Sequence, residues 1–453
     1  MTADMASAAA SSRAHPAPTV RVGLLGCGNV GAALAEILLT RAEDVAARTG
    51  IRLELVGIAV ADPERERPIA IPAGLLGADA AALVARADVD VVVEVIGGLH
   101  PAHELIETAL RNGKPVVTAN KALLAVAGAE LAEVAATAGV DLLYEAAVAG
   151  AIPVIRPLRE SLAGEQIVRV MGIVNGTTNY ILTRMEEEGA DYDDVLREAQ
   201  ELGLAERDPT ADVDGHDAAA KAAILAALAF GSDVVDADVY REGISGISAA
   251  DVAYATRLGY SVKLLAIAEL IDGGPEMSVR VHPAMVPKTH PLASVRGAFN
   301  AVFVEGAVSG ELMLYGRGAG GGPTASAMLG DLVDASRNLL AGAPAPAPKR
   351  TSTTVFSQND MHSAFYLSMD VADRPGVLAA VAKIFGDHDV SIRSMEQVGL
   401  AEEARLIFLT HVAREGDLLA TIDELRRHQA VDRVSGVLRV IAEPADDEGG
   451  GLS

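Results

Sequence analysis

The chain has 453 residues, half of them apolar, with 37 Lys and Arg against 62 Asp and Glu for a net charge of −25. At about 150 residues per domain this suggests about three domains with sizeable cores, and the acidity argues against a nucleic-acid partner, which needs clustered cations. Cys27 is the one cysteine, so no intrachain disulfide or multi-thiolate zinc site is available, which suits a cytoplasmic protein, and no apolar run is long and clean enough to make a membrane span.

Residues 1–18 are rich in Ala and Ser, lack a basic start with an apolar core, and read as a disordered extension. The β-branched run Thr19–Leu25 then predicts a strand, Ala32–Leu39 a helix and Leu53–Val60 a second strand. Val89–Ile96 is nearly all apolar, as a parallel strand buried on both faces would be. A helix over Pro101–Arg111, a strand at Val116–Thr118, a helix over Lys121–Thr137 and a strand at Asp141–Glu145 complete an alternation that implies βαβ units and a parallel sheet. This makes 19–150 an α/β, Rossmann-type domain.

The rhythm changes from Ala151. Helices are expected at Pro153–Leu162, Thr178–Glu188, Tyr192–Leu202 and Asp217–Phe230. Strands are expected at Ile167–Val174, Met277–Val281, Ala301–Val304 and Glu311–Leu314. Residues 151–317 thus read as an α+β substrate and dimerisation domain, and the helix Pro323–Leu340, within 318–340, as returning to the first domain. The Ala-Pro repeat within 341–358 reads as a linker. Residues 359–442 give β-α-β-β-α-β, the ferredoxin-like order, with 443–453 as a flexible tail.

Gly26-x-Gly28-x-x-Gly31 falls between the first strand and helix. Its glycines suit a tight turn, a close approach to pyrophosphate and close helix packing, and the helix N-terminus favours the anion. Asn29 and Val30 lie inside the same turn. Asp62, about 30 residues past Gly31, could hold a ribose hydroxyl, whereas Arg65 and Arg67 could meet a 2′-phosphate; all three could equally be solvated loop charges, and the balance between NADP and NAD tilts slightly to NADP. Thr118-Ala119-Asn120-Lys121 ends a strand where ligands of open α/β sheets bind, so Lys121 either reaches the nicotinamide end or is a surface lysine starting a helix. The densest cluster runs from Glu206 to Lys221, with Asp208, Asp212, Asp214 and Asp217. Asp217 and Lys221 are four apart and share a helix face. Carboxylates around one lysine suit an ammonium-bearing substrate and a proton carrier, although a solvated acidic loop would have the same composition. Asn175-Gly176-Thr177-Thr178-Asn179 either binds a carboxylate or caps its helix through Thr177 or Thr178. Gly316–Thr324 is a loop for phosphate or ribose, or a hinge.

In this order, Glu94-Val95-Ile96-Gly97-Gly98, the Thr118–Lys121 and Asn175–Asn179 segments, Gly318-Ala319-Gly320 and the Asp208–Lys221 run resemble the homoserine dehydrogenases over about Val20–Ile441. The Asp373-Arg374-Pro375-Gly376-Val377-Leu378 turn resembles that of an ACT domain. The resemblance implies reversible reduction of L-aspartate 4-semialdehyde to L-homoserine with NAD(P)H, in threonine, methionine and isoleucine biosynthesis. It implies Lys221 and Lys121 as the catalytic pair, and Glu206, Asp212, Asp217, Gly176 and Thr177 at the substrate. Gly97, Thr118 and Gly320 would join the glycine turn at the cofactor. Glu145 with the carbonyls of Val148, Gly150 and Ile152 would hold Na+. Asp373, Gly376, Val377 and Leu378 would bind an effector, L-threonine above all, in a homodimer or homotetramer.

Two other readings compete. A non-catalytic sensor of redox state and amino acids would not need the acidic cluster around Lys221. An ACT-bearing 2-hydroxyacid dehydrogenase would carry its cofactor glycines mid-chain, not near the N-terminus.

Overall fold

The structure is a computed structural model that describes residues 17–345, 351, 354–399 and 403–441. The expected N-terminal extension, apart from Ala17 and Pro18, lies outside the described residues, as does the tail over 443–453.

Strands β1 (Thr19–Leu25), β2 (Arg52–Ala59), β3 (Leu76–Gly77), β4 (Val91–Glu94), β5 (Val116–Thr118) and β6 (Leu142–Leu143) form a parallel sheet in the order β3-β2-β1-β4-β5-β6. Successive side chains enter opposite cores. Leu24, Val91 and Val93 pack on one face, Leu25 and Val92 on the other. Both faces need cover, which explains the unbroken apolar runs. The strand order reverses between β1 and β4, so their carboxyl ends open the crevice where such sheets bind ligands. Helix Asn29–Thr40 leaves β1 beside helix Gly321–Ala341, whose Ala325, Met328 and Leu332 join the same core as Leu34 and Leu38.

The second sheet has twelve strands. They are β7 (Ile167–Ile173), β8 (Tyr240–Arg241), β9 (Tyr260–Leu270), β10 (Glu276–Pro287), β11 (Phe299–Gly306), β12 (Gly310–Arg317), β13 (Thr354–Val355), β14 (His362–Ala372), β15 (Ile392–Val398), β16 (Glu403–Thr410), β17 (Ala413–Arg414) and β18 (Val431–Val440). The main path runs β12-β11-β7-β9-β10-β18-β14-β16-β15. Helices Gly176–Glu188, His216–Phe230 and Ala249–Arg257 cover the first half. Helices Val377–Asp387 and Glu415–Arg427 cover the second, with Phe385, Leu418 and Ile422 over Phe365, Leu367 and Phe408. The β-α-β-β-α-β order is as expected.

Four local expectations fail. β9 was not expected as a strand; its run is apolar on both faces and buried, a pattern periodicity cannot separate from a helix. The strand expected at Asp141–Glu145 is confined to Leu142–Leu143, and Glu145 opens a short 3-10 turn. The helix expected over Pro153–Leu162 narrows to a short π-helical turn over Pro157–Ser161. Within the expected linker, β13 pairs with the start of β10, because Thr354 and Val355 find an open sheet edge at Glu276 and Met277.

The two halves of the large sheet meet where β18 pairs in parallel with β10, Ala284 beside Arg439 and Met285 beside Val440. Two buried carboxylates brace this seam. Asp251 accepts hydrogen bonds from the Tyr366 hydroxyl (2.8 Å) and the Ser368 hydroxyl (2.7 Å). Glu415, fully buried, takes Nε and Nη2 of Arg439 at 3.0 and 2.8 Å. Breaking a buried ion pair leaves one bare charge and costs about 3–5 kcal/mol, whereas replacing both partners with apolar groups is often neutral. Glu415→Leu is therefore expected to lower the urea unfolding midpoint strongly, and Glu415→Leu with Arg439→Met to recover much of the loss. A double variant no more stable than the single would refute this account of the seam.

Candidate active site

The glycine turn is explained by its geometry. Gly26 has φ +99°, and a Cβ there would sit 2.7 Å from the Val95 carbonyl oxygen; one on Gly31 would sit 2.4 Å from that of Gly26. Gly28 faces open space, with nothing within 4 Å of a Cβ, and the helix from Asn29 has no side-chain cap. The turn thus offers free N–H groups and a cradle for an anion. Opposite Asn29, a Cβ on Gly321 would lie 2.9 Å from the Asn29 carbonyl oxygen, so the Gly320 loop (φ +117° at Gly320) closes against Asn29 and Ala33. Arg67 folds back on its own loop, donating to the Asp62 carbonyl at 2.6 Å, close to Cys27 of the glycine turn. Arg65 is exposed beside it.

The buried Glu94 shapes the next loop. It accepts from the N–H groups of Ile96 (2.7 Å) and Gly97 (3.0 Å) and from the Thr118 hydroxyl (2.6 Å). Asn120 caps the following helix through Leu123 N–H (3.1 Å) and ties its amide to the Gly98 carbonyl (2.8 Å). Lys121, the first residue of that helix, is thereby held at the sheet's carboxyl edge.

Across the crevice, Gly215 (φ +82°) starts the helix His216–Phe230, which carries Asp217 and Lys221 one turn apart. Lys221 Nζ donates to Asp217 Oδ2 and to the Val174 carbonyl, both at 2.7 Å. Lys121 Nζ pairs with Asp217 Oδ1, also at 2.7 Å. One buried carboxylate therefore joins two ammonium groups from two domains. Burial opposes its charge, but Lys221 and Lys121 outweigh that and hold the Asp217 carboxyl well below the usual carboxylate range. Burial also disfavours the Lys121 ammonium, yet Asp217, Asp212 and Glu206 together raise its pKa above the ordinary lysine value.

Asn175 completes the cluster. Its amide donates to Asp212 Oδ1 (2.7 Å) and Asp217 Oδ2 (2.9 Å), while its Oδ1 accepts Thr178 N–H (2.9 Å) as the helix cap. The cap is thus neither Thr177 nor Thr178. Thr177 donates its hydroxyl to the Leu204 carbonyl (2.8 Å), tying the helix to the loop that presents Glu206. Gly176 is pressed against the Ala298 carbonyl, 2.8 Å from where a Cβ would stand. Glu206 is exposed at the rim.

Glu145 sits between the domains. Its carboxylate accepts the N–H groups of Val154 (2.6 Å), Ile155 and Arg156 (both 2.8 Å). Val148, Gly150 and Ile152 are buried residues around the turn made by Ala149 (φ 55°) and Gly150 (φ 56°), and among the described residues no hydrogen bond ends on their carbonyls. Three orphaned carbonyls beside a carboxylate fit a hard cation. In the C-terminal unit, Gly376 (φ +92°) opens the helix from Val377 without a side-chain cap, Leu378 is exposed, and Asp373 accepts from Gln397 at 3.3 Å.

Family models match residues 26–145 as a homoserine dehydrogenase NAD-binding domain, 153–333 as homoserine dehydrogenase and 365–429 as an ACT domain. The homoserine dehydrogenase of Corynebacterium glutamicum is 51% identical over 429 residues, 94% of this chain and 96% of that one. The chain belongs to the homoserine dehydrogenase family. A crystal structure of a homoserine dehydrogenase from Thiobacillus denitrificans overlays with TM-score 0.87 at 41% identity, covering 93% of this chain and 98% of that one. A hyperthermophilic archaeal homoserine dehydrogenase in complex with NADPH overlays with TM-score 0.60 at 30% identity, covering 71% of this chain and 98% of that one. Membership makes the chain an NAD(P)-dependent oxidoreductase that interconverts L-aspartate 4-semialdehyde and L-homoserine, with a nucleotide-binding domain, a catalytic domain and an ACT domain.

Sequence reasoning passed over Asn175 and Glu94 as site residues, although both stand at strand ends inside quoted motifs. Lys263 gave no signal at all. It is 1% exposed on β9, behind the Asn175 helix, and donates to the Val295 carbonyl (2.6 Å) and Asn179 Oδ1 (3.3 Å). Burial lowers its ammonium to about 8; Glu186 and Glu187 oppose the shift and Arg296 adds to it. Below that pH both folded and unfolded states are charged, and the folded state carries the full cost of burial. Above it the folded state sheds the proton first, so stability from this group grows up to the unfolded pKa of about 10.4. Between pH 7 and 9.5 the parent is expected to gain about 2 kcal/mol on Lys263→Met in urea titrations. A constant difference across that interval would show that Lys263 does not titrate there.

Proposed function

We propose that Lys221 supplies the proton in the reduction of the semialdehyde, with Lys121 beside it, and that NADPH is preferred to NADH. The reading rests above all on Asp217, one buried carboxylate holding both ammonium groups at 2.7 Å. An ammonium has three donors; two of those on Lys221 are engaged by Asp217 and Val174, which leaves one for a substrate oxygen. When bound, NAD(P)H supplies the hydride. Negative charge then grows on the aldehyde oxygen, and an ammonium beside it stabilises that charge and delivers the proton. Asp217 favours the Lys121 ammonium and aims both lysines. Glu206 and Asp212 would bind the substrate's ammonium and fix its carbon chain for transfer, while Gly176 and Thr177 shape the wall against it.

The glycine turn from Gly26 to Gly31 would take the pyrophosphate, with Gly97, Thr118 and Gly320 around it. The preference for NADPH is supported by Arg65 and Arg67 beyond β2 and by the NADPH bound to the archaeal relative. Glu145 and the carbonyls of Val148, Gly150 and Ile152 would hold Na+. L-Threonine would bind at Asp373, Gly376, Val377 and Leu378, where an uncapped helix start meets an exposed side chain. The exposed edge strand β15 supports a homodimer or homotetramer. The lone Cys27 suits the cytoplasm.

Purified protein is expected to oxidise NADPH with L-aspartate 4-semialdehyde. Lys221→Met should lower kcat by about 100-fold or more with the melting temperature retained; near-parental turnover would remove Lys221 from proton transfer. Glu206→Gln should raise KM for the semialdehyde with less effect on kcat, and an unchanged KM would take Glu206 off the substrate. Arg65→Ala with Arg67→Ala should shift the kcat/KM ratio of NADPH to NADH about tenfold towards NADH. A ratio equal to the parent's would mean that neither arginine reads a 2′-phosphate. No turnover with either cofactor, in folded protein, would favour the sensor.

A further inference from the structure

Four asparagines are buried among the described residues: Asn120, Asn175, Asn179 and Asn300. Three of them use both ends of the amide. Asn120 and Asn175 each accept at a helix cap and donate, the first to the Gly98 carbonyl and the second to two aspartates. Asn179 donates to the carbonyls of Val295 (3.3 Å), Gly297 (2.9 Å) and Phe299 (3.2 Å) and accepts from Lys263 Nζ. Asn300, 1% exposed, uses neither end: among the described residues its Nδ2 and its Oδ1 both lack a partner. Nearly all buried polar groups are hydrogen-bonded, because an unpaired one bears the full cost of leaving water. A donor and an acceptor left open on one buried side chain point to a partner that the chain itself does not supply.

Asn300 stands near the start of β11, opposite Gly316 of β12. It shares a face with Val302, which packs in the same core as Ile181 of the helix that Asn175 caps. Two glycines lie against the amide. A Cβ on Gly176 would stand 3.5 Å from Asn300 Oδ1, and a Cβ on Gly318 would fall on the amide itself. Gly176 follows Asn175, which binds Asp217; Gly318 belongs to the loop that meets Asn29 at Gly321. Asn300 therefore lies where the lysine–aspartate cluster and the cofactor loop converge. Gly318 is three residues from Gly321, a reach of about 11 Å at most, so the amide is one short span from the glycine turn, on the side of the lysines. Chemistry narrows the ligand further. A carboxylate would satisfy Nδ2 and repel Oδ1, and an ammonium would do the reverse. A primary carboxamide carries a donor and an acceptor side by side and satisfies both. Of the reactants, only the nicotinamide cofactor has one.

We propose that the Asn300 amide binds the carboxamide of the nicotinamide ring, Oδ1 accepting its N–H and Nδ2 donating to its oxygen, and so fixes the rotation of the ring against the substrate. Glycines at 316, 318 and 320 let the loop shift off the amide as the ring enters. The proposal rests on the reading of Gly26–Gly31 as the pyrophosphate turn. Asn300 binds and positions; it takes no part in proton transfer. The test is calorimetry on the full chain, without substrate, with NADP+ and with its 3-acetylpyridine analogue, in which a methyl replaces the carboxamide nitrogen and leaves Oδ1 without a donor. NAD+ and its own analogue are run in parallel. The parent is expected to bind the carboxamide form about tenfold more tightly than the acetyl form. Asn300→Leu should bring that ratio close to one, and Asn300→Asp, which keeps the acceptor, should restore a preference for the carboxamide. Should Asn300→Leu fail to fold, the parent alone still decides, since equal affinity for the two forms would overturn the proposal. So would an equal loss for both forms in Asn300→Leu, the mark of a mere prop beneath Gly318, or an unchanged ratio with only the KM for the semialdehyde raised. Binding of neither dinucleotide would overturn this proposal together with the reading of the glycine turn, whereas a ratio of one in a parent that turns over normally would count against Asn300 alone.

Discussion

A single buried carboxylate with two cations on it organises this molecule. Asp217 could not stay ionised in an apolar interior unaided, because desolvation favours the neutral acid. Lys221 supplies the first ammonium from the same helix, one turn on. Lys121 supplies the second from the other domain, so the charge balance of the site is complete only when the parallel sheet and the helical layer of the catalytic domain face each other as they do here. The interdomain crevice therefore has an electrostatic latch as well as apolar packing.

That latch imposes demands on the backbone around it. The helix bearing Asp217 must begin abruptly, which the left-handed Gly215 allows. Asn175 must reach two aspartates and cap its own helix at once, which fixes the end of β7 against the catalytic turn. Lys121 must sit at the end of β5, and it does so because Asn120 and Glu94 bind the loop from Ile96 to Gly98 in place. Asn175, Asn120 and Glu94 each serve two elements, so the binding crevice and the fold share the same hydrogen bonds.

Much of this was legible in the sequence because local sterics leave few options. Glycines at 26 and 31 are needed where a Cβ would strike backbone, and the four-residue step from Asp217 to Lys221 puts both on one helix face. The C-terminal β-α-β-β-α-β pattern was legible for the same reason, since its periods are local. What escaped depends on distant partners. Lys263 in the middle of β9 looks like a break in an apolar run, and only the carbonyl of Val295, brought from another segment, makes a buried ammonium tolerable there. Glu145 reads as the end of a strand, but its carboxylate answers N–H groups of residues 154–156, and so the backbone turns early. Asn175 was visible but not its double duty, because Asp212 and Asp217 are far along the chain.

The same logic extends to the seam between the catalytic and ACT domains. A flexible tether would let the regulatory unit drift, yet here β10 and β18 pair directly and make one sheet of the two. Sheet hydrogen bonds alone would fix the position of the unit without tying it to any side chain of the catalytic domain. Arg439 adds that tie. It is 3% exposed, chelated by Glu415 from its own domain, and bonded to Glu242 and the Tyr240 hydroxyl from the other. A guanidinium with five donors can hold partners on both sides at once, which the point charge of a lysine could not do with the same geometry. Because Glu242 leads straight into the tight contact of Gly243 with the catalytic turn, a change in the packing of β18 has a short, stiff route to Asp217.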